Sequence, residues 1–210
     1  MNENIHRIDV SRETFEEVAH TWENYQSRLL EYIHTLWDYN SRINLISRKL
    51  TMDDVKQHVF HSLIPPHLIG FSDHKFIDTG TGGGLPGIPL AISNPENTFF
   101  LHDKSTKKIL ALDEFIQILD LQNCETITDD LNNLKFQEPV SIISKHAFKL
   151  DDFFKRSRKI NWQQAVFLKG STFTSELHPI HHHNYKFTAY HLDAFGPFFH
   201  DKVILHITPK

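Results

Sequence analysis

The stretch DTGTGGGLPGIPL, at positions 78–90, constrains the fold of this chain more than any other. Five of the eight glycines fall between positions 80 and 87, with prolines at 86 and 89. Glycine reaches positive φ without a steric penalty, and it lets the backbone approach a ligand that a Cβ would hold off. The preceding KFIDT (75–79) is short, apolar and strand-like. Pro86 and Pro89 suit the first turn of a helix, where no backbone donor is missed. A strand, a glycine turn and a helix together form the opening unit of a doubly wound sheet. In such sheets ligands sit at the carboxyl ends of the strands, beside that first turn.

The rest of the chain is consistent with this start. TFFLHD (98–103), CETIT (124–128), VSIIS (140–144) and AVFLK (165–169) read as further strands. Residues 105–120 read as a helix with Ile109, Leu112, Ile116 and Leu119 on one face. Strands separated by helix-length segments imply a parallel sheet with right-handed crossovers. YKFTAYHL and KVILHIT, joined by a loop containing FGP, read as a closing antiparallel hairpin. The expectation is an α/β fold: the Rossmann-like doubly wound sheet of class I methyltransferases, with a C-terminal hairpin. Residues 11–69 read as helical. Leu29, Leu30, Ile33, Leu36 and Trp37 make one apolar stripe, Asn40, Ser41 and Asn44 break it, and Thr51 with Asp54 forms a capping box for a second helix that stops before Pro65-Pro66. The domain expectation is a helical extension over 1–70 and a methyltransferase domain over 71–210.

Two templates compete for the glycine turn. Gly82, Gly84 and Gly87 satisfy G-x-G-x-x-G, a dinucleotide fingerprint. Asp78, Gly80, Gly82 and Gly84 satisfy D-x-G-x-G-x-G, the pattern of an S-adenosylmethionine loop. A carboxylate at Asp78 can accept from the ammonium of a methionine moiety but repels a pyrophosphate, which favours the second template. Asp103, ending the next strand, can accept from both ribose hydroxyls of either ligand, or cap the helix that starts near Ser105.

Composition limits the partners. The formal net charge is -4, so any nucleic acid is gripped by a local patch rather than by a global basic field. Local clusters exist in KRSRK (155–159), in Lys104, Lys107 and Lys108, and in Arg42, Arg48 and Lys49. Each can neutralise phosphates, and each can equally be a solvated face. The single cysteine, Cys124, permits no intramolecular disulfide and fits a reducing cytosol. The start MNENIHRIDV lacks the apolar region of a signal peptide, and no apolar run is long enough to span a bilayer. A cytoplasmic location is therefore expected, with no membrane partner. The run His181-His182-His183, which Pro179 and Asn184 mark as a solvated loop, and the pair His58 and His61, three apart in a helix, are not expected to hold a metal.

DTGTGGGLPGIPLAI, LHDKSTKK, ISKHAFKL and FLKG, together with NLIS at 44–47 and H-x-x-x-S at His58 to Ser62, resemble the glucose-inhibited division protein B family. Members of that family are bacterial guanine-N7 methyltransferases of small-subunit ribosomal RNA. The resemblance implies S-adenosylmethionine as cofactor, small-subunit rRNA as partner, within a ribonucleoprotein particle, and a monomeric enzyme. It implies that Gly80, Gly82 and Leu85 line the cofactor beside Asp78 and Asp103. It sets Leu131 and Asn132 where the family has a small residue and a Glu at the adenine. Lys145-His146 stands where the family has Arg-Ala, and Gln57 and His61 stand where it has Arg and Asp. Lys145 is carried over to both cofactor and substrate, and Lys169, Asn44 and His58 to the substrate. Guanine N7 has a free lone pair and no proton to lose, so no general base is expected. The departures leave open a diverged member that binds cofactor or subunit without catalysis, or one that methylates another substrate. The G-x-G-x-x-G match leaves an NAD-dependent oxidoreductase as a more distant alternative.

Overall fold

The computed structural model describes residues 5–71, 75–177 and 181–210, with the side chains of His181 and His182 excluded. Among these, eight strands form one sheet: β1 (Ile5–Asp9), β2 (Lys75–Thr79), β3 (Thr98–Asp103), β4 (Cys124–Thr128), β5 (Val140–Lys145), β6 (Trp162–Gly170), β7 (Tyr185–His191) and β8 (Lys202–Pro209). Their order is β1-β7-β8-β6-β5-β2-β3-β4. All pairs are parallel except those of β8 with β6 and β7. This is the doubly wound sheet with its terminal hairpin, as the strand pattern implies. The chain winds outward from β2 through β3 to β4, then returns to lay β5 on the other side of β2. The carboxyl ends of β2 and β5 therefore flank the topological switch point, where such sheets bind ligands. There the Ser144 hydroxyl donates to the Thr79 carbonyl at 2.7 Å.

Helices cover both faces. α1 (Arg12–Asn40), α2 (Met52–Ser62), α3 (Pro65–Ile69), α4 (Gly87–Ser93) and α5 (Thr106–Ile118) pack on one side. α6 (Leu150–Arg156) packs on the other. The period of two in β2 sends Phe76 into the first layer and Ile77 into the second, and both are fully buried. The capping box of α2 is present: Thr51 N–H donates to the Asp54 carboxylate at 2.8 Å, and Asp54 N–H to the Thr51 hydroxyl at 3.2 Å. α2 ends at Ser62, and the prolines open the short α3.

Four features depart from the sequence reading. β1 adds a parallel edge strand beside β7, within a segment read as outside the sheet; IHRID has only two apolar residues, a weak strand signal. α6 has no counterpart in the sequence reading, which took KRSRK as a charge run. LDDFFKR is a helix with acids in its first turn and bases in its last, complementing the helix dipole. Trp37, placed in the buried stripe, is 37% exposed, and Tyr32 fills the stripe instead. His181–Asn184 forms one helical turn leading into β7 rather than a loop, while Pro179 lies outside the described residues. Among the described residues no set of three or more ligating side chains could hold a metal ion, and no helix is long and apolar enough to cross a membrane.

The helical layer is bolted to the glycine turn. The buried Tyr32 hydroxyl donates to the Gly83 carbonyl at 2.9 Å. Tyr32→Phe removes that donor and strands a buried carbonyl, so a loss of about 1–2 kcal/mol in unfolding free energy is expected. Denaturant titration of the two proteins checks this, and equal midpoints would count against the contact.

Candidate functional site

The turn after β2 has the geometry its glycines permit. Gly80, Gly82 and Gly84 have φ of 70°, 59° and 94°. A Cβ on Gly80 would come within 2.4 Å of the Ala147 Cβ, and one on Gly82 within 3.2 Å of the Leu45 carbonyl oxygen. The turn is thus clamped between the loop after β5 and the loop after α1. Asp78 holds it from behind. Its Oδ2 accepts from the Thr81 hydroxyl at 2.7 Å and from Gly87 N–H at 2.8 Å, capping α4, while its Oδ1 is buried without a partner among the described residues. Burial pushes its pKa up to about 7 despite those hydrogen bonds.

Beside this turn lies a cavity of about 330 Å³ at the carboxyl ends of the central strands. Gly80, Asp103 and Leu131, three of the residues expected at the cofactor, line it together with Ala147 and Phe148. Asp103 is only 7% exposed. It accepts from Ser105 N–H at 2.9 Å and from Gly82 N–H at 3.2 Å, with the Lys108 ammonium at 3.5 Å. It therefore fixes Ser105, the residue before α5, and pins the glycine turn while facing the cavity. A carboxylate has about four acceptor sites, so capacity remains for a ligand. The wall carries four carboxylates (Asp103, Asp129, Asp130 and Asp152) against Lys104, Lys108 and Arg156. That balance suits a ligand bearing positive charge better than a pyrophosphate.

Other expected residues lie elsewhere. Gly82 meets the cavity only through its bond to Asp103, and Leu85 is part of the apolar core. Asn132 turns its backbone N–H and its side-chain amide onto the Asp130 carboxylate, at 2.9 and 2.5 Å, and does not line the cavity. Asp129 and Asp130 take that wall, and Arg156 crosses to Asp130 at 3.3 Å and to Asp152 at 2.9 Å. The Asp129-Asp130 pair follows β4 directly, a signal visible in the sequence as an acid pair at a strand end. Lys169 is 5% exposed and donates to the Glu176 carboxylate at 2.6 Å and to the Phe148 carbonyl at 2.5 Å, so its ammonium points inward. Asn44 is exposed in the loop after α1.

Lys145 and His58 do come together. The Lys145 ammonium donates to the His58 carbonyl at 2.7 Å. Burial and the Lys202 ammonium push the Lys145 pKa down to about 7, against a smaller pull from Asp78. Burial and the neighbouring cations likewise bring His58 down to about 3 and His146 to about 4. His61, fully buried, is lowered as well, burial being the largest cause. Phe198 lies edge-on to His58, with centroids 5.2 Å apart, and the Lys202 ammonium sits 3.9 Å from the Phe198 centroid. Lys202 and Phe198, from the C-terminal hairpin region, are additions that no local motif announces.

The family model described as rRNA small subunit methyltransferase G matches residues 25–201. A protein of that name from Chlorobium limicola is 34% identical over 193 residues, covering 87% of this chain and 88% of its own. Its counterpart from Chlorobium phaeobacteroides is 37% identical over 153 residues, covering 71% and 69%. Among solved structures, the S-adenosylmethionine-dependent methyltransferase SibL in its apo form superposes with a TM-score of 0.54 at 11% identity, covering 94% of this chain and 75% of its own. The chain belongs to the rRNA small subunit methyltransferase G family and has the class I fold of S-adenosylmethionine-dependent methyltransferases.

Proposed function

We propose that this chain transfers a methyl group from S-adenosylmethionine to guanine N7 of small-subunit rRNA, acting as a monomer on a ribonucleoprotein particle in the cytoplasm. The observation that carries the reading is the convergence of Gly80 and Asp103 on one cavity at the switch point. The residues present fit the cofactor. Asp103 offers a charged acceptor at Oδ1 to one ribose hydroxyl and, where Lys108 at 3.5 Å gives way, a second at Oδ2. Gly80 leaves room for close backbone approach, and Leu131 offers an apolar surface to the adenine. Asp78 is fully buried behind the turn and does not line the cavity, and its unpartnered Oδ1 serves the ammonium in this reading only where the bound donor reaches past Gly80. Residues 71–210 hold the donor in this reading, and residues 1–70 serve the substrate side, although β1 joins the sheet.

When bound, the cofactor supplies an electrophilic sulfonium methyl. The chain's task is to hold the guanine in line with it and to exclude water, a contribution from positioning rather than from proton transfer. The imidazoles of His58 and His146, beside Lys145, agree with this: groups at about 3 and about 4 are poor proton acceptors at neutral pH. In this reading Lys145, whose ammonium is anchored on the His58 carbonyl, orients the guanine edge or an adjacent phosphate. Asn44, exposed in the loop after α1, meets the substrate in this reading. Lys169, held by Glu176, acts by shaping the Phe148 wall.

Mass mapping of small-subunit rRNA from a strain deleted for this gene is expected to show the loss of one N7-methylguanosine, with restoration by the purified chain and methyl donor. An unchanged modification pattern sinks the reading.

A further inference from the structure

α1 ends on a surface that neither the core nor the cofactor cavity uses. Trp37, one turn from the end of α1, projects over a hollow of about 240 Å³ lined also by Asn40, Ser41, Arg48 and Leu50. The loop that follows, residues 41–50, reads SRINLISRKL: three cations and no acid, in a chain whose formal net charge is -4. Arg42, Arg48 and Lys49 are all exposed, and among the described residues no carboxylate pairs with them. The Arg42 guanidinium lies 4.5 Å from the Tyr39 ring centroid, which holds it at the edge of the same surface. In the KRSRK cluster, by contrast, Arg156 is engaged by Asp130 and Asp152.

The loop is ordered in advance. Asn40 Oδ1 accepts from Leu45 N–H at 2.9 Å and from Ile46 N–H at 3.0 Å, fixing the backbone from one buried amide. Leu45 and Ile46 then pack on the glycine turn, where a Cβ on Gly83 would come within 3.3 and 3.4 Å of them and within 2.6 Å of Leu36. A ligand held by this loop is therefore held at a fixed offset from the turn that lines the cofactor cavity, without the entropic cost of ordering the loop. An exposed indole with unpaired cations around it is the chemistry that binds unstacked bases and their phosphates.

We propose that Trp37 and the loop 41–50 form an RNA-docking patch, in which the indole stacks on an unstacked base of the substrate and Arg42, Arg48 and Lys49 meet the flanking phosphates. The proposal deepens the rRNA reading above and rests on it for the identity of the RNA. It is tested with the full-length chain by co-sedimentation with small ribosomal subunits and by filter binding to naked small-subunit rRNA, each over a series of salt concentrations. Trp37→Ala is expected to weaken both about tenfold, and Trp37→Phe, which keeps a stacking face, to recover most of that loss. Arg48→Ala with Lys49→Ala is expected to reduce the slope of log affinity against log salt by about 0.7 for each cation removed, the single-strand value. Adenosylhomocysteine binding should not change in any of these variants, which serves as the folding control. Wild-type affinity and salt slope in the variants would overturn the proposal. So would a loss of affinity for subunits with none for naked rRNA, since that assigns the patch to a ribosomal protein. Because binding is read without methyl transfer, a wild-type chain that binds but does not methylate removes the functional reading and leaves the patch standing.

Discussion

Replacing Asp103 with alanine is expected to weaken adenosylhomocysteine binding by at least about 100-fold, because two hydrogen bonds to a charged acceptor are lost together. The carboxylate is almost fully buried, faces the cavity and is held from two sides by Gly82 N–H and Ser105 N–H, so it is aimed before the ligand arrives. The same contacts give it a structural duty, and the experiment has to separate the two. Loss of the bonds to Ser105 N–H and Gly82 N–H costs about 1–3 kcal/mol, visible as a shift in thermal midpoint without loss of the folded baseline. Asp103→Asn keeps an acceptor for Ser105, gives up the charge and turns its amide N–H toward the Gly82 N–H from which Oδ2 accepted. It should therefore restore only part of the stability and still bind adenosylhomocysteine at least about tenfold more weakly than wild type, since charged acceptors roughly double the strength of a hydrogen bond and two donors now face each other. Calorimetry on the three proteins reads this directly. An alanine variant that stays within threefold of wild type removes Asp103 from the cofactor site and leaves it as an anchor of Ser105 and the glycine turn alone.

Much of the fold was legible because its strands are buried on both faces. VSIIS and AVFLK are continuous apolar runs of the kind that parallel sheets require, and the acid-glycine turn after KFIDT can hardly be accommodated elsewhere. The capping box at Thr51 was legible because both partners lie within one helical turn. β1 was not, since an edge strand needs little hydrophobicity and its pairing with β7 joins residues far apart in the chain. Trp37 was misplaced for a related reason: a stripe at helical spacing says which side of α1 is apolar, not where the core stops covering it. In the site, Gly80 and Asp103 could be read from a local motif. The opposite wall of Ala147, Phe148 and Arg156 is assembled by tertiary packing, as is the meeting of Lys145 with His58 across 87 positions of sequence. The wall that follows β4 shows the limit of carrying a family pattern by count. Asn132 sits at the expected position, yet Asp130 captures its amide, and the acids before it face the cavity.

Asp78→Asn is expected to flatten a pH dependence of stability that the wild-type chain shows between about pH 4 and pH 7. The folded-state pKa of Asp78, about 7, lies above the ordinary carboxylate value of 3.8 because burial penalises the charge. In that window the native state binds the proton more tightly than the unfolded chain, so unfolding free energy falls as pH rises. The penalty is complete above about pH 7 and amounts to about 4 kcal/mol in order of magnitude. Asparagine keeps an acceptor for Thr81 and Gly87 and does not titrate, so the difference between variant and wild type should grow by that amount from pH 4 to pH 8. Saturation with adenosylhomocysteine supplies the second half of the test. If its ammonium meets the unpartnered Oδ1, the charged carboxylate gains its missing partner and the wild-type slope flattens, so that the ligand stabilises wild type more at pH 8 than at pH 5. The asparagine variant should show no such difference. Equal ligand stabilisation of wild type at both pH values would leave Asp78 as the cap of α4 and the anchor of the glycine turn, with the ammonium held elsewhere.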